Sequence, residues 1–85
     1  MMFYVYILKS QRDNQLYLGS TTDLRRRLAE HNQGQSPATK GREPFTLRYY
    51  EAFLLENDAR HREWSLKKDG NALAQLKRRI KASLQ

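Results

Sequence analysis

The sequence predicts a single small α+β domain with a three-stranded, mainly antiparallel sheet flanked by helices in the order ββαβαα. Three observations carry that expectation. The runs FYVYIL, QLYLGST and FTLRYYEAF are dense in β-branched and aromatic residues, the composition of strands. The stretches TTDLRRRLAEHNQ, ENDARHREWSLKK and ALAQLKRRIKASL repeat apolar residues at helical intervals. A chain of 85 residues is too short to divide its apolar surface between two cores, so all six elements belong to one domain.

The first strand is broken by polar turn formers from Lys9 to Gln15, among them Asp13-Asn14, and the second begins at Leu16, a hairpin pattern. Gly19 lies inside the second run, where a missing side chain permits a sharp turn or a close approach to the backbone. Thr21, Thr22 and Asp23 offer oxygens to the free amides of a helix start, which places the first helix at about Asp23 to Asn32. Its Leu24 and Leu28 can pack on the hairpin. Asn32 to Pro44 reads as a long loop with two glycines and two prolines, either a phosphate-wrapping segment or a plain flexible connection. The third strand follows at Phe45 to Phe53. Glu56, Asn57 and Asp58 are the cap candidates for the second helix, Gly70 is its stop, and Asn71 is the expected cap of the third. Leu73, Leu76, Ile80 and Leu84 form the third helix's apolar stripe.

Composition narrows the function classes. The chain has 39% hydrophobic residues and no cysteine, which excludes disulfides and thiolate metal sites. No apolar stretch reaches the roughly 18 to 20 residues of a membrane span, and the expectation is a soluble, cytoplasmic protein. Sixteen Lys and Arg against nine Asp and Glu give a formal charge of +7, which favours polyanionic partners, nucleic acid first. The first 24 residues are neutral overall, so the excess lies beyond the hairpin. Arg25, Arg26, Lys40 and Arg42 are candidate phosphate contacts.

The chemistry-bearing residues begin with Tyr6 and Tyr17, placed on neighbouring strands. Strand tyrosines usually pack, but a phenol at a cleft edge can position or deprotonate a water when a guanidinium offsets its pKa of about 10. Arg27 and His31 stand one turn apart on the first helix and can point at one spot, offering donors to a phosphate. Glu63 falls within about one turn of Ala59 and Leu66, at the edge of the second helix's core-facing stripe. A carboxylate there needs a partner: an arginine, or a hard divalent cation such as magnesium. No HExxH, CxxC, Walker or GxGxxG pattern is present.

Taken together, VYIL, then YLG, then TTDLRRRLAEHN resembles the GIY-YIG nuclease superfamily, in its small stand-alone bacterial, YhbQ-like form. Tyr6 falls on the tyrosine of the GIY element, with Tyr4 where glycine usually stands. Tyr17, Leu18 and Gly19 fall on YIG. Arg27, ten residues after Tyr17, falls on the family's catalytic arginine, and His31 on the residue one turn later. Glu63 in REWSLKK aligns with the metal-binding glutamate, and the EW pair resembles the junction-endonuclease branch. For the family's late asparagine Asn71 is only a candidate, and that role is not carried over. The resemblance implies the GIY-YIG fold across residues 1 to 85 and a single Mg2+ or Mn2+ held by Glu63. It also implies endonuclease hydrolysis of nucleic acid, DNA before RNA, in repair or recombination, with Tyr6, Tyr17, Arg27, His31 and Glu63 as catalytic residues. The alternative is a non-catalytic nucleic-acid-binding module on the same fold. The expected assembly is a monomer or weak homodimer, with room for a protein partner.

Overall fold

A computed structural model describes residues 1–85. Strands β1 (Phe3–Ser10) and β2 (Leu16–Thr21) form the hairpin, followed by helix α1 (Leu24–Asn32) and strand β3 (Phe45–Phe53). Helices α2 (Glu56–Lys68) and α3 (Gly70–Arg79) complete the ββαβαα order, and a short 3-10 turn spans Lys81–Leu84. The sheet order is β2-β1-β3 with both pairings antiparallel, so β1 is the buried centre.

Alternation along β1 divides the interior into two layers. Val5 and Ile7 face α2 and α3 and pack with Ala59, Leu66 and Leu76, with Leu18, Tyr49 and Phe53 around them. Tyr6 and Leu8 face the other way and pack with Phe45 and with Leu24 and Leu28 of α1. Strand β3 serves both layers because its register slips: Ile7 pairs with Tyr49 but Leu8 with Leu47. Arg48 is the extra residue. This bulge reverses the alternation, so Tyr49 and Phe53 join the α2/α3 layer while Phe45 and Leu47 join the α1 layer.

Three helix boundaries differ from the sequence expectation. Helix α1 is capped by Asp23, whose side chain accepts from Arg26 N, as expected. Helix α2 has Leu55 at its N-cap with no side-chain bond, so Glu56, Asn57 and Asp58 lie inside the helix. Glu56 and Asp58 still favour the positive end of the helix dipole. Gly70 does not close α2: Asp69 ends α2 and caps α3 by accepting from Asn71 N, which displaces Asn71 as the cap. The α3 stripe breaks at Ile80 before the 3-10 turn, and Leu76, Ile80 and Leu84 pack on the core.

The segment between α1 and β3 is not a slack connection. It is folded against the domain: Ser36 and Thr39 are buried, Gly34 and Gly41 supply positive φ, and the Glu43-Pro44 bond is cis. Asn32 clasps its far end, accepting from Phe45 N at 2.6 Å and donating to Phe45 O at 3.2 Å. Gln11 N donates to Pro44 O, Ser10 Oγ donates to Arg42 O, and Arg42 pairs with Asp13 at 2.8 Å, tying the segment to the hairpin turn. Arg42 also lies over the Phe45 ring. Its hydrogen bond holds the Asp13 carboxyl down to about 2.

Candidate active site

Tyr6 sits at the centre of the sheet's α1 layer with Gly19 directly opposite it on β2. A Cβ on Gly19 would fall 2.5 Å from the Tyr6 hydroxyl oxygen, so glycine is what lets that hydroxyl lie against the β2 backbone. Tyr6 Oη and His31 Nε2 are hydrogen-bonded at 2.9 Å. The imidazole is completely buried, with Nδ1 hydrogen-bonded to Thr39 Oγ1 at 2.7 Å. Tyr17 packs on the same ring, 5.1 Å between centroids, and Phe45 closes another side at 5.9 Å. The two phenols themselves stand 6.5 Å apart.

Arg27 shares a small apolar pocket with Tyr6, Leu24 and Leu28. Its Nη1 donates to Glu30 Oε1 at 2.9 Å and its Nη2 to Ser36 Oγ at 3.2 Å. Its side chain keeps 31% exposure, enough to reach solvent. His31 does not. The expectation that Arg27 and His31 jointly offer donors to a phosphate is therefore corrected for the histidine, whose two nitrogens are engaged inside the protein. Burial raises the Tyr6 phenol above its ordinary value, and the neighbouring Arg27 only partly offsets this. Burial, then the Arg27 charge, lowers His31 below 6.5, so the imidazole is neutral at pH 7.

Glu63 approaches from the opposite layer. Ser20, next to Gly19 and pointing to the other face, donates from Oγ to Glu63 Oε1 at 2.8 Å, and Lys67 Nζ pairs with Oε2 at 2.7 Å. Burial pushes the Glu63 carboxyl up, but these two donors outweigh it and hold the group ionised, below its ordinary range. The carboxylate lines a cleft of about 290 Å3 at the strand ends, together with Tyr4, Ser20, Thr21, Thr22, Glu56 and Arg60. The site therefore wraps the end of edge strand β2: the phenol-imidazole-guanidinium cluster lies on one face and the carboxylate cleft on the other. The Glu63 charge adds only the smallest of the influences that raise the Tyr6 phenol.

No group of three or more acidic, histidine or cysteine side chains gathers anywhere in the chain to cage an ion between them. The cleft fits something simpler. One ionised carboxylate with hydroxyls beside it is a hard oxygen set, suited to a magnesium-sized ion that keeps most of its waters. Such an ion would compete with the Lys67 ammonium for Oε2.

Among the other candidates, Arg25, Arg26 and Lys40 are exposed, whereas Arg42 is committed to Asp13 and Phe45. Asn71 is exposed at the start of α3 and takes no part in the cluster. Trp64, the other half of the EW pair, is exposed and stacks on His61. Sequence reasoning missed Ser20, Ser36 and Thr39. A small hydroxyl residue in a loop or at a strand end carries no spacing that marks it, and each was revealed only by the fold.

A tyrosine pair on a hairpin, met by an arginine and a histidine from the following helix, defines a class of small catalytic domains. Residues 2–81 match the family model of the GIY-YIG catalytic domain, and the chain belongs to that family. The UPF0213 protein of Halobacterium salinarum is 43% identical over 67 residues, covering 78% of this chain and 86% of that protein. The UPF0213 protein of Staphylococcus haemolyticus is 45% identical over 65 residues, covering 75% and 78%. The solution NMR structure of a UPF0213 protein from Bacillus halodurans is 36% identical with a TM-score of 0.53, covering 91% of this chain and 86% of that one.

Proposed function

We propose that the chain is a metal-dependent endonuclease that hydrolyses phosphodiester bonds in nucleic acid, DNA in preference to RNA, in repair or recombination. The observation that carries this reading is the wrapped edge of β2, where Gly19 seats the Tyr6 hydroxyl and Ser20, the next residue, seats Glu63. Adjacent residues of one strand thus set a proton-handling phenol and a metal-competent carboxylate on either side of one strand end.

Arg27 turns from Glu30 to the phosphoryl oxygens and stabilises their charge through its paired N–H groups. Tyr6, braced by His31 and packed beside Tyr17, orients the attacking water for in-line displacement and, as the phenolate, takes up its proton as the bond forms. The Arg27 guanidinium beside it favours that charged form, against the burial that opposes it. Glu63 would hold one Mg2+ or Mn2+, which when bound supplies charge neutralisation at the scissile phosphate and the leaving 3′ oxygen. Arg25, Arg26 and Lys40 extend the cationic surface beside Arg27.

A second reading has its own observation. Glu63 is paired with Lys67 and Arg27 with Glu30, so both charged groups are satisfied as they stand, as in a binding module that never turns over. Incubating the purified protein with supercoiled, branched, single-stranded and RNA substrates, with magnesium, manganese or chelator, separates the two. Cleavage that needs metal and disappears in both Glu63→Ala and Arg27→Ala, each still folded by circular dichroism, is the expected result. Full activity in either variant removes the mechanism. Salt-sensitive binding with no cutting in any metal supports the binding module.

A further inference from the structure

We propose that Tyr4 and Tyr50 form a stacking site for an unpaired nucleobase, so that the strand acted on at Tyr6 has a nucleotide beside the scissile phosphate that is not held in a duplex. Its placement beside a scissile phosphate rests on the nuclease reading above; the base site itself does not.

The site lies on the sheet face that carries Tyr6. Helix α1 covers that face only in part, with Leu24 and Leu28 packed over Tyr6, Leu8, Phe45 and Leu47. Tyr4 comes two residues before Tyr6 on β1, with Thr21 across from it on β2 and Ala52 across from it on β3. Tyr50 stands across from Tyr6 itself. Alternation puts both tyrosines on this side, since their neighbours Phe3, Val5 and Tyr49 belong to the opposite layer. Neither belongs to an apolar core. Tyr50 is 51% exposed and Ala52 is exposed beyond it, so no helix roofs this end of the face.

The two rings meet edge to face, 5.8 Å between centroids and 69° between planes. Such a pair makes a corner in which a flat base can stack on one ring while the other borders its edge. Tyr4 also borders the Glu63 cleft, which sets the corner between the Tyr6 phenol and the carboxylate. Exposed Arg25 and Arg26 lie on α1, the helix packed on this same face, and contacts to phosphates carry no information about pairing or sequence. Aromatic faces beside a cationic surface are the chemistry that binds unpaired strands. A base inside a duplex has both its faces stacked on neighbouring bases, and it must leave the stack to reach the rings.

Single-stranded oligodeoxynucleotides carrying 5-iodouracil at successive positions, and the same strands annealed to a complement, test this with metal omitted. Charge alone favours the duplex, which holds its phosphates more densely; the expected result is tighter binding of the single strand. Irradiation should cross-link iodouracil to Tyr50 or Tyr4, located by mass spectrometry of the digested complex. Tyr50→Thr removes the ring but keeps a residue suited to a strand. It should weaken single-strand binding by about 5-fold or more while leaving duplex binding and the salt dependence unchanged. Tyr50→Phe keeps the ring and should bind as the wild type does. Cross-links only to other residues, a duplex bound as tightly as the single strand, or a folded Tyr50→Thr with undiminished single-strand affinity would each overturn the proposal. So would a Tyr50→Thr effect confined to self-association in sedimentation, which would assign the pair to a contact between copies. Should Tyr50→Thr not fold, the wild-type cross-links and the duplex comparison decide. Selective binding and cross-linking in a protein that cuts nothing supports the base site while the nuclease reading fails. Metal-dependent cutting of paired and unpaired strands alike, equal in wild type and Tyr50→Thr, keeps the nuclease reading and overturns the base site.

Discussion

At the residue scale, Gly19 and His31 carry the sharpest consequences. Because a Cβ at Gly19 would sit 2.5 Å from the Tyr6 oxygen and 2.8 Å from Tyr6 Cζ, Gly19→Ala must push a fully packed ring aside. Forced overpacking of this kind costs about 1–3 kcal/mol, and it should break the Tyr6–His31 hydrogen bond as well. Urea unfolding should show that loss, and cleavage should fall further than stability explains. For His31 the sign follows from its depressed pKa. Between the folded value and 6.5 the unfolded chain binds more protons than the folded one, so the stability from the neutral, buried ring is complete above about pH 6.5 and is lost as pH falls. His31→Gln should flatten the decline in urea midpoint between pH 7 and pH 5; an unchanged slope would assign the decline to other groups. Of the candidate-site residues, Tyr6, Tyr17, Arg27, His31 and Glu63 could be singled out in the sequence because each sits in a periodic element or a motif. Thr39 and Ser36 were not, since burial of a loop hydroxyl depends on how the loop folds back and no local pattern encodes it.

At the element scale, β3 shows where sequence patterning stops informing. FTLRYYEAF reads as a strand, yet strict alternation would put Phe45, Leu47, Tyr49, Glu51 and Phe53 all on one face. The bulge at Arg48 sends the first two to the α1 layer and the rest to the α2/α3 layer. A single extra residue therefore connects the site's cover, Phe45 against His31, to the opposite core. Deleting Arg48 removes the bulge but keeps Leu8 paired with Leu47 and Ile7 with Tyr49, so Phe45 and Leu47 stay on the α1 face and Tyr49 and Phe53 on the other. The variant should therefore still unfold cooperatively, losing the Arg48 bonds to Thr46 and to the backbone of Gln85; loss of cooperative unfolding by circular dichroism would show that the bulge itself is required. The cap corrections have a related cause. Asp69 and Asn71 are both good cap residues, two positions apart, and the choice between them depends on the angle at which α3 leaves α2. The hairpin, by contrast, was readable to within two residues, Lys9 and Ser10 continuing β1 past the expected break, because its turn and its pairing are local.

At the scale of the whole molecule, one sheet separates two helical layers, and the site uses both only because β2 lies at the edge with its end uncovered. The positive charge is divided in the same way. Arg25 and Arg26 are exposed on α1, beside the Arg27 cluster, while Lys77, Arg78 and Arg79 are exposed on α3 in the opposite layer. Net charge alone predicts that either surface attracts a polyanion, so it does not say which one the backbone lies on. Under the proposed function the scissile phosphate must reach Arg27, and the flanking phosphates then run over α1. Each phosphate contact contributes about 0.9 to the slope of log affinity against log salt. Replacing Arg25 and Arg26 together with serine should reduce that slope by about 2 and weaken binding at low salt. The matching pair Arg78→Ser and Arg79→Ser should leave it nearly unchanged, since those side chains would face away from the bound strand. Titrations of a labelled duplex at several salt concentrations, with metal omitted to prevent cutting, measure both. The reverse result would seat nucleic acid on α3, out of reach of Arg27, and a bound phosphodiester there could not be the one that Tyr6 and Glu63 act on.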